Sequence, residues 1–210
     1  GFEILENRIS TKVLDQLISD ISQNSDESTF GIRNAEKRFS SIQHLAQSKE
    51  LLDLAKTYIG PNPRLIRAIY FNKTNSKNWL VPWHQDKTIA TSNKVNLAGW
   101  GPWSIKDGIH HVQPPFEILN KMISFRIHLD DTGIDNACLK IVTGSHKSIL
   151  SDNQIQTFTQ NKITLCPVKA GDIFVMKPLL LHSSSKSSVP RNRRVIHLEY
   201  GTFKLPEDLS

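Results

Sequence analysis

From Arg64 to its end the chain is a series of short runs rich in β-branched and aromatic residues, cut by turn residues, with no long helical period between them. Leu65–Phe71, Trp79–Asp86, Met122–Leu129, Cys138–Val142, Ile163–Val168, Ile173–Met176, Leu179–Ser183 and Arg194–Phe203 read as strands. Parallel strands need crossover helices, and none is offered. The pattern predicts an antiparallel sandwich or jelly roll. Residues 1–63 read differently. Ser10 can cap a helix to about Ser22 with the stripe Val13, Leu14, Leu17, Ile18 and Ile21. Asn24–Glu27 reads as loop. A second helix runs from about Ser48 to Ile59 and stops at Gly60-Pro61. The expected fold is mainly β with flanking α, in one domain: a mainly helical 1–63 packed outside a jelly-roll core of 64–210.

One strand carries the chemistry. In Trp83-His84-Gln85-Asp86, residues i and i+2 face the same way, so His84 and Asp86 aim at one point and Gln85 turns away. His182 follows the strand-like run Ile173–Leu181, and a neighbouring strand can bring it to that point. Two imidazoles and one carboxylate are the facial ligand set of non-haem Fe(II), which leaves coordination positions open. Arg193 stands eleven residues past His182, where a guanidinium can bind a carboxylate. Together these residues point to an oxygenase with a keto-acid cosubstrate. Either half alone is weak, because a His-x-Asp pair arises by chance and a lone His is more often a hydrogen-bonded core residue.

Residues 87–121 carry little strand signal in thirty-five positions. Loops of that length are binding loops, lids or disordered segments. This one holds Trp100, Trp103, His110 and His111 beside the candidate metal strand, and all four tryptophans lie between Trp79 and Trp103. The expectation is an active-site loop in which Trp100, Trp103 or His111 forms a substrate wall. Packing onto the barrel is the plain alternative.

The net charge of +6 partly reflects Lys186, Arg191, Arg193 and Arg194. Aromatics do not interleave with these cations, and no nucleic-acid motif is present, so nucleic acid is not the expected partner. A small-molecule substrate is, and the basic excess would welcome an anionic one. No run is apolar enough to span a bilayer, and no leader is visible at the start. Cys138 and Cys166 read as buried free thiols, which suits a reducing cytoplasm. There is no Gly-x-Ser-x-Gly elbow and no glycine-rich phosphate loop.

Trp83-His84-Gln85-Asp86-Lys87, Leu129-Asp130-Asp131 with Asn136, Leu139 to His146 ending in Gly144-Ser145-His146, Ala170-Gly171-Asp172, and His182-Ser183-Ser184 with Arg193 together resemble the phytanoyl-CoA dioxygenase family. The likeness spans nearly the whole chain. Ala137 stands where that family often has glycine. The resemblance implies a double-stranded β-helix, a cupin-like jelly roll. It implies Fe(II) on His84, Asp86 and His182, with 2-oxoglutarate and O2 as cosubstrates. Arg193 would pair with the far carboxylate of 2-oxoglutarate. Arg194 is adjacent, and strand alternation forbids both from facing inward. Ser184 would donate to the cosubstrate, with Lys73 and Gln85 as further candidates beside it. Arg126 and His128 alternate so as to point into the barrel or out of it together, and Arg126 is a candidate substrate contact. Relatives that halogenate lack the carboxylate that Asp86 supplies, so the implied reaction is hydroxylation of an unactivated C–H bond with release of succinate and CO2. Desaturation or cyclisation, and a non-catalytic jelly-roll binding protein, are the competing readings.

Overall fold

Three antiparallel sheets and six short helices make up the structure, a computed structural model that describes residues 1–25, 31–74, 76–160, 162–189 and 191–209. Of the expected loop Asn24–Glu27, Asp26 and Glu27 lie outside the described residues. In chain order the elements are β1 (Phe2–Leu5), α1 (Thr11–Asn24), β2 (Gly31–Arg33), α2 (Ala35–Arg38), α3 (Ser40–Ala46), α4 (Lys49–Ile59), β3 (Arg64–Lys73), β4 (Val81–His84), β5 (Ile89–Thr91), β6 (Trp103–Lys106) and β7 (Ile109–Val112). They continue with α5 (Phe116–Asn120), β8 (Met122–His128), β9 (Leu139–Val142), α6 (Asp152–Thr159), β10 (Ile163–Cys166), β11 (Ile173–Met176), β12 (His182–Ser184) and β13 (Arg193–Gly201).

The larger sheet runs β1-β11-β8-β13-β3-β2 and the smaller one β10-β9-β12-β4. Leu139, Ile141 and Cys166 of the smaller sheet pack on Phe174 and Met176 of the larger. Two antiparallel sheets closed on one core are the jelly roll expected from the strand pattern. The N-terminal helices α1–α4 cover the outer face of the larger sheet. Leu14, Leu17 and Ile21 of α1, Ile42 of α3, and Leu51 and Ala55 of α4 meet Ala68, Tyr70, Phe125, Ile127, Ile196 and Leu198. Ser10 and Ser48 cap α1 and α4 through their side chains.

That packing fixes which side chains reach the interior. Tyr70, Phe125, Ile127, Ile196 and Leu198 face the helices, so the alternate positions of β3, β8 and β13 face the smaller sheet. These are Arg67, Ile69, Phe71 and Lys73, then Ser124, Arg126 and His128, then Arg193, Val195, His197 and Glu199. The register sets Arg193 beside Lys73, and His197 between Ile69 and Arg126. Polar and charged residues thus fill one part of a sheet face that hydrophobic residues would otherwise occupy.

Gly171 shows how tightly the N-terminus is tied in. It has φ +88°, its carbonyl accepts from Arg8 and Ile9 N–H, and a Cβ there would meet Ile9 O at 2.8 Å. Both cysteines are free and buried. Among the described residues no helix is long and apolar enough to cross a membrane.

The segment 87–121 departs from expectation. It is not a structureless loop but carries β5, β6, β7 and α5, with β5-β7-β6 forming a third sheet. Asp107 and Gly108 both have positive φ, at 51° and 76°, so the β6–β7 hairpin turns on an Asp-Gly pair of the kind that favours such connections. His182 opens β12, a strand separate from β11 as the two runs suggest, although it starts three residues later than Leu179. Lys177-Pro178 ends β11, and Leu180 N–H turns back to Lys177 O.

Candidate metal centre

β4 and β12 are paired antiparallel, with His84 directly opposite His182. Asp86 lies just past the end of β4, where its N–H donates to Pro178 O at 2.9 Å and continues the alternation by two residues. The ligand atoms converge. His84 Nε2 is 3.7 Å from Asp86 Oδ1 and His182 Nε2 is 3.8 Å from Asp86 Oδ2. The three groups offer one ligand atom each within 4.8 Å of one another. Both rings are oriented the same way. His84 Nδ1 is 2.8 Å from Pro82 O and His182 Nδ1 is 2.8 Å from Leu180 O. A carbonyl can only accept, so each Nδ1 carries the proton and each Nε2 lone pair faces the common point, the arrangement metal-binding histidines require. Burial pushes the His182 imidazole down to about 3, which keeps it neutral and able to ligate. Burial works against an ionised Asp86, but the polar groups around it, the Arg67 guanidinium among them, outweigh it and hold the carboxyl well below the usual range.

A second set, Asp86, His197 and Glu199, also converges. There His197 Nε2 is already 3.0 Å from Glu199 Oε1, and the same oxygen accepts from Arg67 at 2.6 Å. A cation would have to displace Arg67, so the His84–Asp86–His182 set is the better fit to a divalent metal.

A cavity of about 70 Å³ opens from these ligands and is lined by Arg67, Ile69, Phe71, Trp79, Val81, Arg126, Leu139, Ser184, Arg193 and His197. A much larger groove, about 1170 Å³, lies among α1, α3 and α4 on the far side of the sheet. Neither of the convergent ligand sets lines it, and the chemistry belongs to the small cavity.

Arg193 is buried and lines the cavity, with Nη1 donating to Ala137 O at 3.2 Å. Arg194 faces the other way and grips Asp130 through Nε at 2.9 Å and Nη2 at 2.6 Å. Of the two, only Arg193 lines the cavity, as strand alternation requires. Lys73 Nζ donates to Ser184 Oγ at 2.9 Å and to Ser185 O at 2.7 Å. Burial, then Arg193 and Arg126, push the Lys73 ammonium down to about 7. Ser184 lines the cavity, and because its Oγ accepts from Lys73 its own proton is free to be donated.

Four of the expected residues lie outside the lining of this cavity. Gln85 does not line the cavity. Its amide donates to Ser145 O, Ser148 O and Leu179 O, and its carbonyl accepts from Leu150 N–H at 2.8 Å, so it is a buried clamp between loops. Trp100 and Trp103 pack against Ile89, Val112, Leu119, Met122, Leu179 and Phe203, and do not line the cavity. His111 is buried, but it too stands outside the lining, where burial, Lys106 and Arg67 push it down to about 4. Arg126 does line the cavity. Sequence reasoning overlooked Arg67, His197 and Glu199. A period-two series of polar residues inside otherwise hydrophobic strands was the available signal.

Comparison with curated proteins finds no match. Solved structures do match in shape. SnoN, a non-heme alpha-ketoglutarate-dependent epimerase from nogalamycin biosynthesis, superposes with a TM-score of 0.74 at 15% identity, over 96% of this chain and 76% of that one. AviO1 from Streptomyces viridochromogenes Tue57 gives 0.71 at 21% identity, over 98% and 91%. HygX from Streptomyces hygroscopicus, with nickel, 2-oxoglutarate and hygromycin B bound, gives 0.67 at 15% identity, over 96% and 82%. Such identities establish the shared fold. The phytanoyl-CoA dioxygenase family model matches residues 11–195, which takes in His84, Asp86, His182 and Arg193. The donor set suits iron and the cavity carries buried guanidiniums, and the match over residues 11–195 shows that the chain belongs to the phytanoyl-CoA dioxygenase family of Fe(II)- and 2-oxoglutarate-dependent oxygenases.

Proposed function

We propose that the chain hydroxylates an unactivated C–H bond of a small organic substrate, with residues 1–210 acting as one catalytic domain. The observation that carries this reading is the pair of Nε2 lone pairs and the Asp86 carboxylate meeting in an arginine-bearing cavity. His84, Asp86 and His182 hold Fe(II), and Arg193 takes a carboxylate of 2-oxoglutarate with Ser184 and Lys73 beside it. Bound iron supplies O2 activation coupled to conversion of 2-oxoglutarate to succinate and CO2. The chain's own residues do the positioning. Pro82 O and Leu180 O hold the two imidazoles in one tautomer. The apolar walls from Ile69, Phe71, Val81 and Leu139 keep water from the reacting centre.

A second reading, epimerisation or ring closure, is favoured by the similar SnoN and SnoK, an epimerase and a carbocyclase. The complexes of SnoN with nogalamycin RO and of HygX with hygromycin B support a small organic molecule as the substrate class. The test is product mass from a candidate-substrate screen, with succinate measured in parallel. A gain of one oxygen supports hydroxylation. An unchanged mass with an inverted centre, or a loss of two hydrogens, moves the assignment to epimerisation or to ring closure. Wild-type protein that forms no succinate in the presence of Fe(II), 2-oxoglutarate and O2, even slowly and without substrate, would sink the whole class.

A further inference from the structure

Two buried guanidiniums line the cavity without an acid in salt-bridge contact. Arg126 is 6% exposed and Arg193 is 2% exposed. Among the described residues neither makes an ion pair, whereas the nearby Arg67 and Arg194 are held by Glu199 and Asp130. Arg126 has only His197 Nδ1, 3.3 Å from Nη1, and the Phe71 ring, 5.9 Å from Cζ. Its Nε has no partner, and neither has that of Arg193. Burial pushes Arg126 down to about 10, with Asp86 offsetting part of it. Burial, with Arg126 repelling it, pushes Arg193 down to about 9. A buried charge without a counter-ion destabilises the fold, and two facing one cavity mark places for anions.

Their positions along the sheet differ. Arg193 opens β13 beside Lys73. Arg126 is paired with His197, four residues further along β13, and His197 Nε2 lies 4.0 Å from Asp86 Oδ2. Arg126 is thus at the metal end of the cavity and Arg193 is at the other. The geometry points to Arg126 as a second carboxylate anchor, which takes the carboxylate of 2-oxoglutarate adjoining the keto group while Arg193 takes the remote one. This rests on the cosubstrate reading above. Two ligand charges then meet two guanidiniums. A carboxylate on the substrate is the other source of the same chemistry.

The test titrates anaerobic Fe(II)-loaded protein with two keto acids by calorimetry. One is 2-oxoglutarate. The other is 2-oxobutyrate, which has only the carboxylate next to the keto group. Arg126→Met should raise Kd for both acids by about tenfold or more, with Fe(II) affinity kept. Arg193→Met should weaken 2-oxoglutarate comparably and 2-oxobutyrate little. Arg126→Lys, which keeps a charge but not the fork, should recover part of the loss. In metal-free protein Arg126→Met should raise Tm by about 2–4 °C, because a charge lacking a counter-ion is removed. If Arg126→Met leaves both keto acids unchanged but abolishes binding of acetate to protein loaded with Fe(II) and 2-oxoglutarate, Arg126 is still a carboxylate anchor and the substrate is the source. If the variant changes none of these and lowers Tm, Arg126 is structural and the inference fails alone. Wild-type protein that binds neither keto acid overturns the cosubstrate reading along with it.

Discussion

Arg193 and Arg194 are sequence neighbours with opposite tasks, separated by the strand pleat. Arg193→Ala should weaken 2-oxoglutarate binding and leave stability nearly intact. Arg194→Ala should leave that binding intact and cost roughly 1–3 kcal/mol, because a half-buried Asp130 loses a two-pronged partner. Calorimetry and thermal melts on both variants check this, and reversed outcomes would reverse the assignment. Gln85 poses a similar question. Gln85→Ala strands three carbonyls and the Leu150 N–H, so it should lower stability by about 1–3 kcal/mol without altering 2-oxoglutarate affinity. A changed affinity at unchanged stability would restore Gln85 to the cosubstrate site. Ala137 has φ 59° and presents its carbonyl to Arg193. Left-handed backbone is costly for alanine, so Ala137→Gly should stabilise the protein by up to about 1 kcal/mol, read as a rise in Tm.

At the scale of elements, what could be read from the sequence depended on whether the signal was local. The cap at Ser10 and the two periodic helices lie within single segments, and they fold as expected, with Ser48 capping the second helix, which is expected to start there. His84 and Asp86 share a face for the same local reason. The third sheet was hidden because β5, β6 and β7 are three or four residues each, although Asp107-Gly108 between β6 and β7 was a legible hairpin signal. The capping box Ser151–Gln154 of α6 was another. Arg67, His197 and Glu199 were not legible singly, since their meaning comes from β3, β13 and β8 lying side by side. The packing of Trp103 on Val112 and Phe203 makes a test at this scale. Trp103→Ala should lower stability by a few kcal/mol, at most about 3–5, and leave the coupling of succinate to product unchanged in the folded fraction. Uncoupled succinate at normal stability would return that side chain to the substrate wall.

The whole molecule sets a cluster of histidines in a dry interior, and this predicts its response to acid. Burial holds His128 well below the ordinary 6.5, His182 at about 3 and His111 at about 4. An unfolded chain takes up protons below about pH 6.5 that these folded sites refuse, so the stabilisation present above that pH is lost as pH falls towards 4 and below. Tm of the metal-free protein should therefore fall between about pH 7 and about pH 5, and a flat profile would contradict neutral buried imidazoles. The central claim is that β4, the two residues after it and β12 form one metal site between the sheets, and anaerobic Fe(II) titration tests it most directly. Wild-type protein should bind about one Fe(II) per chain, and Asp86→Ala and His182→Ala, while still folded, should bind none with comparable affinity. Full stoichiometry and affinity in either variant would contradict the assignment.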